Sequence, residues 1–352
     1  MGNKVLSSHR PSSPLRLRSG DPAAATGMDR WTGVLHVPLS RGGPLFRVAA
    51  SLILSPSKTL AVPQANAILF TGDRVSGTGD PVIERLSDAA HLAGVLAGKV
   101  SGETNAWVVD AACFAGPFAV YRELVPSVDS AGDPKGYDPA CFPAAAGIAS
   151  ILEHGIGEIH DKIFGCSPKD SANQHPAASM LSYCPPRTII LGFSKGGVVV
   201  NQLVTELSCW ASESMKNSLD VSQPNTSRLA HNLVVPTSTS DVLSSISEFR
   251  YVDVGLNCAG AYITDHAVIK EISNYVLQTG KNLRFVLHGT PRQWSDPNRS
   301  WIRKEKDVML QLLRDEAQRC EGRLLSSAKK YFDGRPSSLR MHFEILDVMD
   351  IS

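Results

Sequence analysis

The sequence predicts an α/β protein with a mostly parallel sheet covered by helices on both faces. Three observations lead there. Apolar strand-like runs alternate with helical patterns along the chain. The hydrophobic share of 43%, against 20% charged, suits a globular chain of 352 residues with a sizeable core. And one strand–helix junction carries a serine framed by glycines, "TIILGFSKGGVVV" at 188–200, the kind of sharp turn that an open parallel sheet presents at its strand ends.

Each element has its own signal. "GVLHV" (33–37) and "FRVAASLIL" (46–54) read as an antiparallel pair joined through Gly42, Gly43 and Pro44. "NAILF" (66–70) is a buried strand that stops at Thr71-Gly72-Asp73. A helix follows from Pro81 to about Leu96, with proline at its first turn. "NAWVVDAA" (105–112) is the next strand, then a Pro/Gly/Asp-rich loop over 126–143 and a helix over 144–164. After the quoted strand and helix, 211–245 is rich in Ser, Asn and Thr and reads as a polar insertion or lid. "FRYVDV" (249–254), a helix over 266–278, "LRFVLH" (283–288), a helix over 298–319 and a weaker strand at 323–332 complete the order. The expected sheet has about eight strands, mostly parallel.

Composition excludes several classes. A net charge of +1 gives no support to nucleic-acid binding. Seven cysteines lie scattered without a CxxC pair, which reads as reduced thiols of an intracellular compartment and offers no metal-ligand spacing. No apolar run is long enough to span a bilayer. Residues 1–20 carry Lys4, Arg10, Arg16 and Arg18 and no acid before Asp21, as organelle transit peptides do. Pro11 and Pro14 interrupt the amphipathic helix such a peptide needs, and a disordered tail has the same composition. Leu6 stands where a myristoylation signal wants Ser or Thr. The expected organisation is a disordered or targeting segment at 1–30 and one domain over 31–352.

Gly192-Phe193-Ser194-Lys195-Gly196 fits G-x-S-x-G, and its place between a strand and a helix is that of a nucleophile elbow. Serine there takes a strained conformation, and side chains two residues to either side would collide. The Lys195 N–H at the following helix start then forms half of an oxyanion hole. The other half comes from the loop after the third strand, through the N–H of Gly72 or Asp73. "GDRVSGTG" (72–79) is a poor phosphate loop, because Thr78 occupies the lysine position. The Lys195 side chain has two readings: a cation at the site entrance that favours anionic substrates, or a solvated lysine paired with Glu206 or another surface acid.

A serine hydroxyl needs an imidazole base and an acid to orient it. In this fold the chain order is Ser, acid, His. Among His266, His288 and His342, the last lies beyond the final predicted strand and fits that order best. For the acid, Asp296 in "HGTPRQWSDPNRSW" is preferred, although Asp-Pro before a helix is also ordinary capping. Asp253, at the end of the preceding strand, is the alternative.

With "AILFTGD", "NAWVVDAACF", "LGFSKGGVVVNQLVTEL", "GTPRQWSDPNRSWIRKE" and the late "MHF", the chain from about residue 65 onward resembles the α/β-hydrolase-like family whose vertebrate member is named after chromosome two open reading frame sixty-nine. The resemblance implies an α/β-hydrolase fold and, from its animal members, mitochondria, with the cytoplasm as the alternative compartment. It implies no substrate. The expectation is a serine hydrolase of the esterase, lipase or thioesterase type, acting on a small-molecule or acyl ester or thioester. It uses no cofactor and no metal. The alternative is a non-catalytic member that serves as a binding or regulatory partner of another protein in mitochondria.

Overall fold

The computed structural model describes residues 28–39, 42–165, 186–217 and 233–351. Among the described residues, ten strands run β1 (Arg30–Pro38), β2 (Leu45–Ile53), β3 (Ala65–Phe70), β4 (Thr104–Val109), β5 (Cys113–Ala115), β6 (Phe118–Val120), β7 (Arg187–Phe193), β8 (Ile246–Val252), β9 (Leu283–Gly289) and β10 (Leu324–Lys330). Eight of them form one sheet in the order β1-β2-β4-β3-β7-β8-β9-β10, and β5 and β6 form a separate hairpin. β1 and β2 pair antiparallel, β2 meets β4 antiparallel, and every pairing from β4 to β10 is parallel. This is the α/β-hydrolase fold, and the antiparallel entry expected for the first two strands is present.

Burial follows from position in the sheet. All six residues of β3 and of β4 are buried, as central strands covered on both faces require. Side chains alternate between two cores. Ile68, Phe70, Trp107 and Ile190 pack on the face covered by α3 (Pro143–Phe164) and α4 (Gly197–Asn217). Leu69, Val108, Leu191 and Phe193 pack on the opposite face, under α1 (Pro81–Leu86), α2 (Ala89–Lys99) and α9 (Leu339–Val348).

The helix expected over 81–96 is two helices, α1 and α2. Asp80 caps the first by accepting from the N–H groups of Val82 and Ile83, and Asp88 restarts the chain by accepting from His91. A second good cap four residues before Leu92 ends one helix and begins another. Four more helices follow α4: α5 (Thr239–Ser245), α6 (His266–Thr279), the short α7 (Pro291–Trp294) and α8 (Ser300–Ala317). Of the expected polar insertion at 211–245, residues 211–217 continue α4 and 239–245 form α5, while 218–232 lie outside the described residues. The expected terminal segment at 1–30 falls, up to residue 27, outside them as well.

Candidate active site

The candidate side chains converge at the C-terminal ends of the parallel strands, where open α/β sheets place their sites. The loop after β3 brings Gly72 and Asp73, the turn after β7 brings Ser194, the end of β8 brings Asp253, and α9 brings His342.

The Ser194 turn is tight. Ser194 has φ 50°, a left-handed conformation that costs a non-glycine residue about 1–3 kcal/mol. It opens a 3-10 turn, Ser194–Gly196, which leads straight into α4. A Cβ at Gly192 would lie 2.6 Å from the Gly196 carbonyl oxygen, and one at Gly196 would lie 2.1 Å from the Phe70 oxygen. A Cβ at Gly72 would lie 2.3 Å from the Lys195 nitrogen, so the β3 loop packs directly on the turn. Gly196→Ala should therefore destabilise by about 1–3 kcal/mol or more. Gly98→Ala, on α2 with nothing within 4 Å of its Cβ, should raise stability by about 0.5–1 kcal/mol. Paired thermal melts read both changes, and equal melting temperatures would count against the close approach.

His342 is 1% exposed, and its ring lies against Phe193 with centroids 4.6 Å apart. Its Nδ1 is 2.6 Å from Asp253 Oδ2. Asp253 is itself fully buried at φ 44°. Its carboxylate also accepts from the Thr290 N–H at 2.7 Å and from the Thr290 hydroxyl at 2.9 Å. The acid is thus held by the turn after β9 before it holds the imidazole.

Ser194 and His342 meet through a third group. Ser194 Oγ donates to Asp73 Oδ1 at 3.1 Å, and His342 Nε2 lies 3.1 Å from Asp73 Oδ2. Burial of the His342 ring disfavours its charge, but the hydrogen bonds and negative charges of Asp253 and Asp73 outweigh it and raise the pKa to about 9. The β5–β6 hairpin pins Asp73 in place: Ala119 N–H donates to Gly72 O and Arg74 N–H to Pro117 O, both at 2.8 Å.

Asp296, the preferred acid on sequence grounds, is elsewhere. It caps the 3-10 turn Pro297–Arg299, accepting from Asn298 N–H and Arg299 Nε, each at 2.9 Å. Its slight burial works against ionisation, but those partners win and hold its carboxyl below the usual range. The Asp-Pro pair is the ordinary cap that its sequence also allowed. Asp296→Asn should leave any esterase activity within about twofold, since changes away from a buried network are nearly neutral. A larger loss would reopen Asp296 as the acid.

The other candidates separate in the same way. His288 is buried beside the Tyr331 hydroxyl, 3.0 Å from Nδ1, and burial with nearby Arg250 pushes its pKa down to about 3. His266 opens α6 near Glu316. The Lys195 side chain does not reach a site entrance. It is 1% exposed, and its Nζ pairs with Asp133 Oδ1 and donates to Ala131 O, both at 2.7 Å. Nor does it meet Glu206, whose carboxylate accepts from the Ala144 and Ala145 N–H groups at the start of α3. The 131–133 loop offers a carboxylate and a carbonyl at the length of the lysine stem, which draws the charge inward. Sequence reasoning considered Asp73 only for its N–H, and it missed Thr290 and Asp133. The "GT" after β9 was the available hint for Thr290.

Among the described residues, no group of three or more His, Cys, Asp or Glu side chains is placed to hold a metal ion, and no helix is long and apolar enough to cross a membrane.

Comparison with known proteins adds a family. Residues 158–318, from α3 to just past the end of α8, match the family profile described as C2orf69. That stretch contains Ser194 and Asp253, but neither Asp73 nor His342. The human "Mitochondrial protein C2orf69" is 27% identical over 194 residues, 53% of this chain and 40% of the human protein. The mouse homologue is 28% identical over 160 residues, 45% of this chain and 34% of its own. The matches thus span well under half of these relatives' length. Among solved structures, an IroE-like serine hydrolase from Shewanella oneidensis is 10% identical with a TM-score of 0.40, covering 90% of this chain and 78% of its own. By the profile and the two relatives, the chain is similar to the C2orf69 family over the matched stretch.

Proposed function

We propose that the chain is a serine hydrolase of esters or thioesters, working in mitochondria as the names of its relatives suggest. The observation that carries the reading is the buried Asp253–His342 pair, 2.6 Å between Oδ2 and Nδ1, beside a serine at φ 50° between β7 and α4. Ser194 Oγ attacks the acyl carbon while His342 Nε2 takes its proton. Asp253 fixes the ring through Nδ1–H and balances the imidazolium. The N–H groups of Lys195 and of Gly72 or Asp73 hold the oxyanion. Collapse of the tetrahedral intermediate breaks the bond to the leaving alcohol or thiol, which receives the proton from Nε2. Water, deprotonated by the same nitrogen, then releases the acid from the acyl-serine.

The test needs no knowledge of the substrate. A fluorophosphonate probe should label the folded protein, with the adduct on the peptide that contains Ser194, and p-nitrophenyl butyrate should be turned over. A second reading is a non-catalytic binding partner. On its side stands the Asp73 carboxylate, which lies between Ser194 and His342. A folded protein that takes no probe and turns over no ester would favour it.

A further inference from the structure

In a working triad the serine hydroxyl donates to an imidazole whose Nε2 is free to accept. Here both groups are turned toward one carboxylate, through Oδ1 to Ser194 and Oδ2 to His342. Nδ1 is already committed to Asp253, so an imidazole between these two carboxylates carries both of its protons. Such a ring cannot accept the proton of Ser194. The groups facing it are Asp253, Asp73, Ser194 and the rings of Phe193 and Phe343. The nearby cations are engaged elsewhere: Arg74 pairs with Asp110 at 2.7 Å and lies over Phe114, Arg340 faces Asp80 and Glu344, and Lys195 pairs with Asp133. His288, behind Asp253, faces Tyr331.

We propose that Asp73 is a brake on this site, released by substrates that bring a hydrogen-bond donor, an ammonium or a hydroxyl, beside the scissile carbonyl. The proposal rests on the assignment of Ser194 and His342 above. The Asp73 side chain is only 11% exposed, so a carboxylate that leaves its two donors there favours a new one, since a poorly solvated charge is costly. Arg74, Arg340 and Lys195 are already paired, so the donor is left to the acyl group. With Asp73 drawn to that donor, Nε2 releases its extra proton to solvent and can accept from Ser194 Oγ. Acyl groups with a carboxylate or phosphate in the same place would be repelled.

Two measurements decide it. The first follows the His342 ring by NMR over pH in the wild type, in Asp73→Asn and in Asp73→Ser, and needs no catalysis. The wild-type ring should lose its proton in the alkaline range, as the two carboxylates require. Both variants should titrate at least about one unit lower, a tenfold change in the neutral fraction. A ring that titrates alike in all three overturns the brake, whether or not the protein is an enzyme. The second compares kcat/KM for the alanyl and propanoyl p-nitrophenyl esters, which differ by the α-ammonium. The preference for the alanyl ester should fall about tenfold or more in Asp73→Asn. An unchanged preference overturns the release by substrate. If no variant takes a fluorophosphonate or turns over either ester, the hydrolase reading fails by itself, and the ring titration still decides the brake.

Discussion

Ser194→Ala is expected to abolish fluorophosphonate labelling and to lower ester turnover by roughly 10⁴- to 10⁶-fold, the range seen when a triad nucleophile is removed. The fold should hardly notice. The hydroxyl makes one hydrogen bond, to Asp73, worth about 1 kcal/mol. Alanine faces the same strain as serine at φ 50°, so the turn loses nothing else. A melting temperature within a few degrees of wild type, with labelling gone, is the expected pair of results. Equal labelling in the two proteins would move the nucleophile away from Ser194. Loss of both labelling and fold would point to the turn instead, and Ser194→Cys, which keeps a nucleophile on the same backbone, would then separate the two.

The second large effect is expected at Asp253. Asp253→Asn should lower turnover by about 10⁴-fold, because an amide donor facing Nδ1 selects the wrong tautomer and no longer balances the imidazolium. The backbone contact survives, since an Asn oxygen still accepts from Thr290 N–H. The variant also has a pH signature. The folded pKa of His342, about 9, lies above its ordinary 6.5. The stabilisation from its carboxylate partners is therefore fully present below about pH 6.5 and lost as pH rises through about 9. Asp253→Asn should lower the melting temperature most near and below about pH 6.5, and the difference should shrink as pH rises through about 9. A deficit that is constant with pH would mean that His342 is not charged in the resting protein. Asp296→Asn, with its carboxylate spent on Arg299 and a cap, should show neither effect.

What the sequence determined by itself was the local part of this protein. Apolar runs such as "NAILF" and "NAWVV" announce buried strands, and their alternation with helices implies a parallel sheet. Gly192 and Gly196 around Ser194 reveal a turn too sharp for side chains, and "AILFTGD" marks the loop that packs on it. These signals are legible because strand, turn and cap are decided between residues a few positions apart. The split of the helix over 81–96 was legible in the same terms, in the capping pattern at Asp88. Tertiary structure decided which acid meets which base. Asp253 and Asp296 each follow a strand and look alike as letters. Only the pairing of β8 beside β7 brings Asp253 under a histidine 89 residues away, while Asp296 satisfies its own neighbours. The Asp73 carboxylate reaches His342 across 269 residues, and Lys195 turns inward to Asp133 across 62. Buried charges seek whatever partner the packed chain brings within about 3 Å, and that choice is made by the sheet order and the loops above it, not by spacing along the sequence.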